Sequence, residues 1–130
     1  MEPGDLPEDI RQFLREHVSS IEQLEILLRL YDISPRSETS AELAGALYLS
    51  PESIERRLNA YAEKGIVTHS GSEPWRYALA PKESGYGRSI GELARLYRER
   101  RVSVINEIFS NPIAAVQSFA DAFIIGKKKE

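Results

Sequence analysis

The chain has 130 residues, of which 42% are hydrophobic and 28% are charged, and its net charge is −3. These values predict one compact globular domain over residues 1–130 and exclude a disordered chain, but they leave a nucleic-acid partner open because local charge placement decides that question. The absence of cysteine excludes disulfides, thiolate metal sites and cysteine nucleophiles, and it fits a cytoplasmic protein.

The first 35 residues predict two helices and no targeting segment. The start, "MEPGDLPEDI", is acidic without an apolar h-region, and no stretch approaches the roughly 18 apolar residues of a membrane span, so we expect neither a signal peptide nor a membrane partner. Pro7 opens the first helix, and Pro35 ends the second because the residue before a proline avoids the helical region. Apolar residues recur at helical spacing in both helices: Ile10, Phe13, Leu14 and Val18, then Ile21, Leu24, Leu27, Leu28 and Tyr31.

Residues 36–85 predict two consecutive capped helices and then a hairpin. The stretch "TSAELAGALYLS" predicts a short third helix that Thr39 or Ser40 caps. A fourth helix begins with Ser50 as N-cap and Pro51 at the first position, and it ends near Lys64 at a C′ glycine. Three apolar residues of the fourth helix lie within about a sixth of its circumference: Ile54, Leu58 and Tyr61.

A two-stranded hairpin and two further helices are predicted for the rest of the chain. The strands "IVTHSG" and "WRYALA" flank the turn "SGSEP". We expect "PKESGYG" to be a linker into one long helix from about Ser89 to Phe109, and a last helix over roughly residues 112–125. The last helix carries an apolar stripe too large to face water: Ile113, Val116, Phe119, Ala120 and Phe123. The stripe needs a partner, and the first helix, a second subunit and a membrane surface are the three alternatives.

Helix, turn, capped helix, glycine and hairpin is the winged-helix layout. The stretches "TSAELAGALYLSPESIERRLNAYAEKGIV" and "YALAPKESG" resemble the winged helix-turn-helix transcriptional regulators of the MarR-like kind. The resemblance implies a mostly helical (α+β) fold with a small two-stranded wing, flanked by dimerisation helices in residues 1–35 and 86–130. It also implies a homodimer that binds double-stranded DNA, with the last helix contributing to the dimer interface through Ile113, Val116, Phe119 and Phe123.

The resemblance places the outer side of the fourth helix in the major groove of DNA. Arg56 and Asn59 have the chemistry to read guanine and adenine edges. Ser53, near the helix start, suits a phosphate, while Arg57 lies at the flank and is aimed at the DNA backbone. The family's wing often carries an acidic residue followed by arginine, whereas "HSGSEPWR" is short and offers only Arg76.

Three acidic residues of the fourth helix, Glu52, Glu55 and Glu63, support a different hypothesis. Acids near phosphates weaken binding to nucleic acid. The alternative is therefore a winged-helix adaptor that binds another protein and not DNA. On this interpretation Arg56 pairs with Glu52 at i,i+4 spacing on a solvated helix face.

Other clusters have two interpretations each. The arginines of "RLYRERR", Arg95, Arg98, Arg100 and Arg101, either face phosphates beside the half-site or lie on a solvated helix face, where some of their stems cover apolar neighbours. Trp75 either packs the wing onto the body or, as the resemblance implies, lines a small-molecule effector pocket together with Tyr48 and Tyr77.

Catalysis finds little support in the sequence. His17 and His69 are the only histidines, and no ligand spacing relates them. No nucleophile elbow, catalytic triad or glycine-rich phosphate loop is present. We therefore expect no enzyme activity, no catalytic or metal-binding residues and no cofactor.

Overall fold

The computed structural model describes residues 6–81 and 84–110. The chain divides into two compact units, a terminal unit of residues 1–21 and 96–130 and a central unit of residues 22–95. The single-domain organisation stays a prediction. The predicted last helix, with its dimerisation residues Ile113, Val116, Phe119 and Phe123, lies outside the described residues.

The terminal unit contains the helix pair α1 (Glu8–His17) and α6 (Arg101–Ser110). Apolar residues of α1 at helical spacing are buried as predicted: Ile10, Phe13, Leu14 and the following Val18. Val104 and Ile108 form the buried side of α6. At the surface, the Arg11 Nε donates a hydrogen bond to Glu107 Oε1 at 3.1 Å and links the two helices.

The prediction of one long helix from Ser89 to Phe109 is wrong in its start and in its continuity. The helix α5 (Gly85–Glu99) begins four residues earlier, because the Ser84 Oγ accepts a hydrogen bond from the Gly87 backbone N–H at 3.0 Å and caps it. "PKESGYG" is therefore partly helical. A local interruption at Arg100 separates α5 from α6. Helical i to i−4 hydrogen bonds continue on both sides of it: the Arg100 N–H donates to the Leu96 carbonyl, and the Val104 N–H donates to the Arg100 carbonyl.

Three helices of the central unit match their predicted positions: α2 (Ile21–Ile33), α3 (Ser40–Leu47) and α4 (Pro51–Lys64). Thr39 caps α3 in a capping box, in which Thr39 Oγ1 accepts from the Glu42 N–H and the Thr39 N–H donates to the Glu42 carboxylate. Ser50 caps α4 by accepting from the Ser53 N–H, and Gly65 ends α4 with a φ of 81°. The predicted inner face of α4 is confirmed by its buried residues: Ile54, Leu58 and Tyr61.

The sheet has three strands rather than two. The strands β2 (Val67–Ser70) and β3 (Arg76–Leu79) form the predicted hairpin, and the short β1 (Glu38–Thr39) adds to its outer side in the order β1-β3-β2, all antiparallel. Strand β1 was not predicted, because two residues cannot show a strand period. Arg29 of α2 holds this strand with paired hydrogen bonds to the Glu38 carboxylate, at 3.0 and 2.6 Å.

Candidate nucleic-acid interface

The inner flank of α4 is fastened to α2 by Glu22. The Ser53 Oγ donates a hydrogen bond to Glu22 Oε1, and the Arg57 Nε lies 3.1 Å from the same oxygen. The Arg57 Nε is buried and its N–H does not point at that oxygen, so this contact is an ion pair without an aligned hydrogen bond. Two of the predicted DNA-binding residues, Ser53 and Arg57, are thus engaged within the protein.

The outer side of α4 presents Arg56 and Asn59, as predicted. Arg56 is exposed and makes no hydrogen bond or ion pair with any described residue. The predicted i,i+4 pair with Glu52 does not form, since Glu52 instead accepts a hydrogen bond from Ser50 Oγ at 3.1 Å. The Asn59 Oδ1 accepts a hydrogen bond from the Tyr77 hydroxyl at 2.9 Å, which orients the amide toward the wing side of the helix.

Arg76 is the first residue of β3, directly after the tip loop of the wing, and it pairs with Ser70 at the end of β2. Its Nε donates to Ser37 Oγ at 3.1 Å, its Nη2 donates to the Ser37 carbonyl at 2.9 Å, and the Glu42 carboxylate lies 3.4 Å away. About half of the side chain, 47%, stays exposed. The wing tip, residues 71–75, contains Glu73 and no basic residue.

A groove lies between α4 and the wing. Its volume is about 440 Å³, and six residues line it: Ser40, Glu55, Glu73, Pro74, Trp75 and Tyr77. Two of the three aromatic residues predicted to line an effector pocket therefore do meet at a cavity. The third, Tyr48, is 95% exposed in the turn between α3 and α4 and is not part of the lining.

Two arginines of the cluster around the α5–α6 junction contact neighbouring side chains. Arg95 forms an i,i+3 ion pair with Glu92, whose pKa it lowers. The Arg101 guanidinium lies 4.5 Å from the centroid of the Tyr97 ring. These two arginines are engaged locally, and a phosphate contact by the cluster stays a prediction.

The described residues, 6–81 and 84–110, hold no cluster of metal ligands and no candidate membrane span. No group of three or more histidine, aspartate and glutamate side chains converges there. No helix in the same ranges has the length and apolarity that crossing a bilayer requires.

Helix α3, helix α4 and the hairpin beside β1 define a winged helix-turn-helix protein. Similar solved structures include MepR, a transcription regulator of the Staphylococcus aureus multidrug efflux pump MepA, with a TM-score of 0.55, 14% identity and coverage of 95% of this chain and 89% of that one. A MarR family protein from Bacillus stearothermophilus has a TM-score of 0.50, 19% identity and coverage of 95% and 84%. A MarR family transcriptional regulator from Silicibacter pomeroyi has a TM-score of 0.52, 16% identity and coverage of 89% and 85%.

These similarities confirm the predicted MarR-like winged-helix fold. No protein-family model and no curated protein matches the sequence. At identities of 14–19%, the likeness establishes the fold and leaves the function to be argued from the site.

The sequence did not predict the role of Glu22 or the backbone conformation of Tyr48. The partners of Glu22 lie 31 and 35 positions along the chain, beyond any local pattern. Tyr48 adopts a left-handed conformation, with φ 57° and ψ 43°, at the end of α3. Its position between the helical pattern of α3 and the cap of α4 was the one signal that could have indicated it.

Proposed function

We propose that the protein is a DNA-binding transcriptional regulator that acts as a homodimer and places α4 in the major groove. The fold supports the proposal, because the solved structures named above are described as transcription regulators or as MarR family proteins. The observation that carries it is Arg56, which is exposed and has no hydrogen bond or ion pair among the described residues. It lies on the outer side of a helix whose inner side is anchored. Arginine donates two hydrogen bonds to guanine O6 and N7, the commonest specific contact in the major groove.

Asn59 is the second proposed base contact. A bidentate contact to adenine uses the amide oxygen as acceptor and the NH₂ group as donor. The Tyr77 hydroxyl takes one lone pair of Oδ1 and leaves the other for the base. The wing therefore pre-orients this amide, so that less conformational freedom is lost on binding.

Ser53, Arg57 and Arg76 are proposed as contacts to the DNA backbone. Each makes hydrogen bonds or ion pairs within the protein, so a phosphate must share or replace those partners. We propose that their larger contribution is to hold α4 and the wing in place. Phosphate contacts of this kind position a protein on the duplex without reading sequence.

The homodimer is proposed from the apolar stripe of the last predicted helix. Two copies related by a two-fold axis would present their α4 helices to half-sites about one helical turn, roughly 34 Å, apart. Phe119→Asp puts a charge into the centre of the stripe. Sedimentation analysis should then show a monomer. An unchanged dimer would show that the stripe is not part of the dimer interface.

The test of DNA binding is a mobility-shift titration of a random duplex at two salt concentrations. Counterion release predicts that affinity falls by about 10³- to 10⁵-fold between 50 and 200 mM salt if six to ten phosphates are contacted. No retardation at low salt would reject the proposal and leave the adaptor hypothesis.

A matched pair of arginine variants then tests the reading face. On a duplex obtained by selection from random sequence, Arg56→Ala should cost about 1–3 kcal/mol and relax specificity at one position. Arg15→Ala removes the same charge from the surface of α1, where Arg15 pairs with Glu8, and serves as the control. Equal losses in both variants, or unchanged specificity in Arg56→Ala, would contradict the role of Arg56.

A further inference from the structure

The groove between α4 and the wing, here called the α4–wing groove, has the dimensions of a ligand site. Its volume of about 440 Å³ falls within the roughly 300–1,000 Å³ typical of small-molecule pockets. Its walls come from α4 through Glu55, from the wing through residues 73–75 and Tyr77, and from the start of α3 through Ser40. All of these residues belong to the central unit.

The aromatic side of the groove is held in place by internal contacts. Tyr77 is only 1% exposed, and its hydroxyl donates to Asn59 Oδ1. Trp75 meets the edge of the His69 ring at a centroid distance of 4.7 Å and an angle of 81°. Tyr77 is therefore a buried support for this side of the groove, and Trp75 supplies the accessible aromatic surface. Because both side chains are already held in place, binding a ligand requires little further ordering.

The charge of the groove is negative. Glu55 and Glu73 are exposed, and neither makes an ion pair or hydrogen bond with another residue in the described ranges. Arg76, the nearest base along the wing, is occupied by Ser37 and Glu42. The pKa of Tyr77 is raised, first by burial and then by the negative charge of Glu55.

We infer that the α4–wing groove binds an organic cation, with Trp75 against its apolar part and Glu55 and Glu73 against its charge. Aromatic faces attract cations through their quadrupole, and carboxylates add to this attraction in a partly desolvated site. A bare metal ion fits less well, because two carboxylates supply too few ligands and no larger cluster occurs among the described residues. The binding needs no DNA, so its failure and a failure of the proposed regulatory function are separable.

The experiment uses the full chain without DNA and the probe benzyltrimethylammonium. Trp75 is the sole tryptophan, so the one indole N–H signal in a ¹H–¹⁵N correlation spectrum reports directly from the groove. At constant ionic strength we expect a saturable shift of this signal with a Kd of about 1 mM, as befits a ligand this small. Benzyl alcohol, which shares the ring and lacks the charge, should bind at least severalfold more weakly.

Three glutamate-to-glutamine variants assign the charge effect. Glu55→Gln and Glu73→Gln should each weaken cation binding by about twofold to fivefold, the usual effect of one solvent-facing charge pair. Glu63→Gln makes the same change on an exposed residue of α4 outside the lining and should leave the Kd unchanged. All three positions are exposed, so circular dichroism should show an unaltered fold.

Two results would overturn the inference. One is an equal affinity for benzyl alcohol and the cation, which would make the groove a merely apolar site. The other is the wrong response to the glutamate variants. A Kd that Glu55→Gln and Glu73→Gln leave unchanged would show that these carboxylates do not bind the cation. A Kd that Glu63→Gln raises equally would show that only the overall charge of the protein matters.

Discussion

Glu22 anchors α4 to α2, and replacing it should destabilise the central unit. The informative change is Glu22→Gln, which keeps an acceptor oxygen for Ser53 and removes the charge opposite Arg57. The side chains of Arg57 and Glu22 are 20% and 23% exposed, so their attraction is screened less than in a surface pair, which contributes about 0–1 kcal/mol. Loss of one partner of a fully buried pair costs roughly 3–5 kcal/mol. Between these limits we expect a decrease of about 1–2 kcal/mol in the free energy of unfolding.

Urea denaturation followed by circular dichroism measures this decrease. For a chain of this length the same change should lower the melting temperature by about 3–8 °C. Glu25→Gln, on the same helix, is the matched control, because Glu25 is half-buried and pairs with no described residue. If the two variants lost the same free energy, the anchoring by Glu22 would be refuted.

A double-mutant cycle separates the ion pair from other effects of the substitution. Arg57→Met keeps much of the apolar stem and removes the guanidinium. Since the two groups are in contact, we expect a coupling energy above about 0.5 kcal/mol between Glu22→Gln and Arg57→Met. Additive losses would show that each residue acts separately.

Three further predictions concern the caps and the wing. Tyr48→Gly should raise the free energy of unfolding by about 0.5–1 kcal/mol in urea, because the left-handed conformation strains residues other than glycine; a decrease would contradict this. Tyr77→Phe should lower it by about 0.5–1.5 kcal/mol through loss of the bond to Asn59, and an unchanged urea midpoint would contradict this. The hydrogen bond from the Thr39 backbone N–H lowers the pKa of Glu42. The ionised Glu42 carboxylate therefore stabilises the fold above the ordinary carboxyl pKa, and this stabilisation is lost as pH falls through the lowered value. The difference in melting temperature between wild type and Glu42→Ala should accordingly shrink on acidification.

The parts of the fold that follow from local chemistry could be predicted closely. Ser50, Pro51 and Gly65 fix the ends of α4, because cap side chains and a left-handed glycine act within one turn of the chain. The break at Arg100 could not be predicted, since the helical pattern continues through it. The short strand β1 depends on Arg29 and on pairing with β3, which are tertiary contacts.

In the candidate site, too, local helix geometry could be predicted and tertiary contacts could not. Arg56 and Arg57 are adjacent and identical in type, yet one is exposed and unengaged while the other is held by Glu22. Helical geometry separates the two side chains by 100°, but only the folded chain brings Glu22 beside Arg57. The role of Arg76 likewise depends on Ser37, to which a strand pairing brings it close.

The acidic residues of α4 have different positions, and this bears on the conflict between an acidic helix and a nucleic-acid partner. Glu52 is bonded to Ser50 at the helix start, and Glu55 borders the α4–wing groove, one turn before Asn59. Arg56 lies 100° around the helix from Glu55. Glu63 lies about 20° around the helix from Arg56, so it adds negative charge to the outer side of α4. The charge of Glu55 lies on the wing side of α4, where a bound organic cation would neutralise it but also occupy space beside the DNA-reading face. Because coupling between two ligands is reciprocal, the factor by which such a cation changes DNA affinity must equal the factor by which DNA changes cation affinity. A factor that weakens both would mean that occupied volume outweighs the charge, and one that strengthens both would mean that Glu55 and Glu73 make the groove an electrostatic switch.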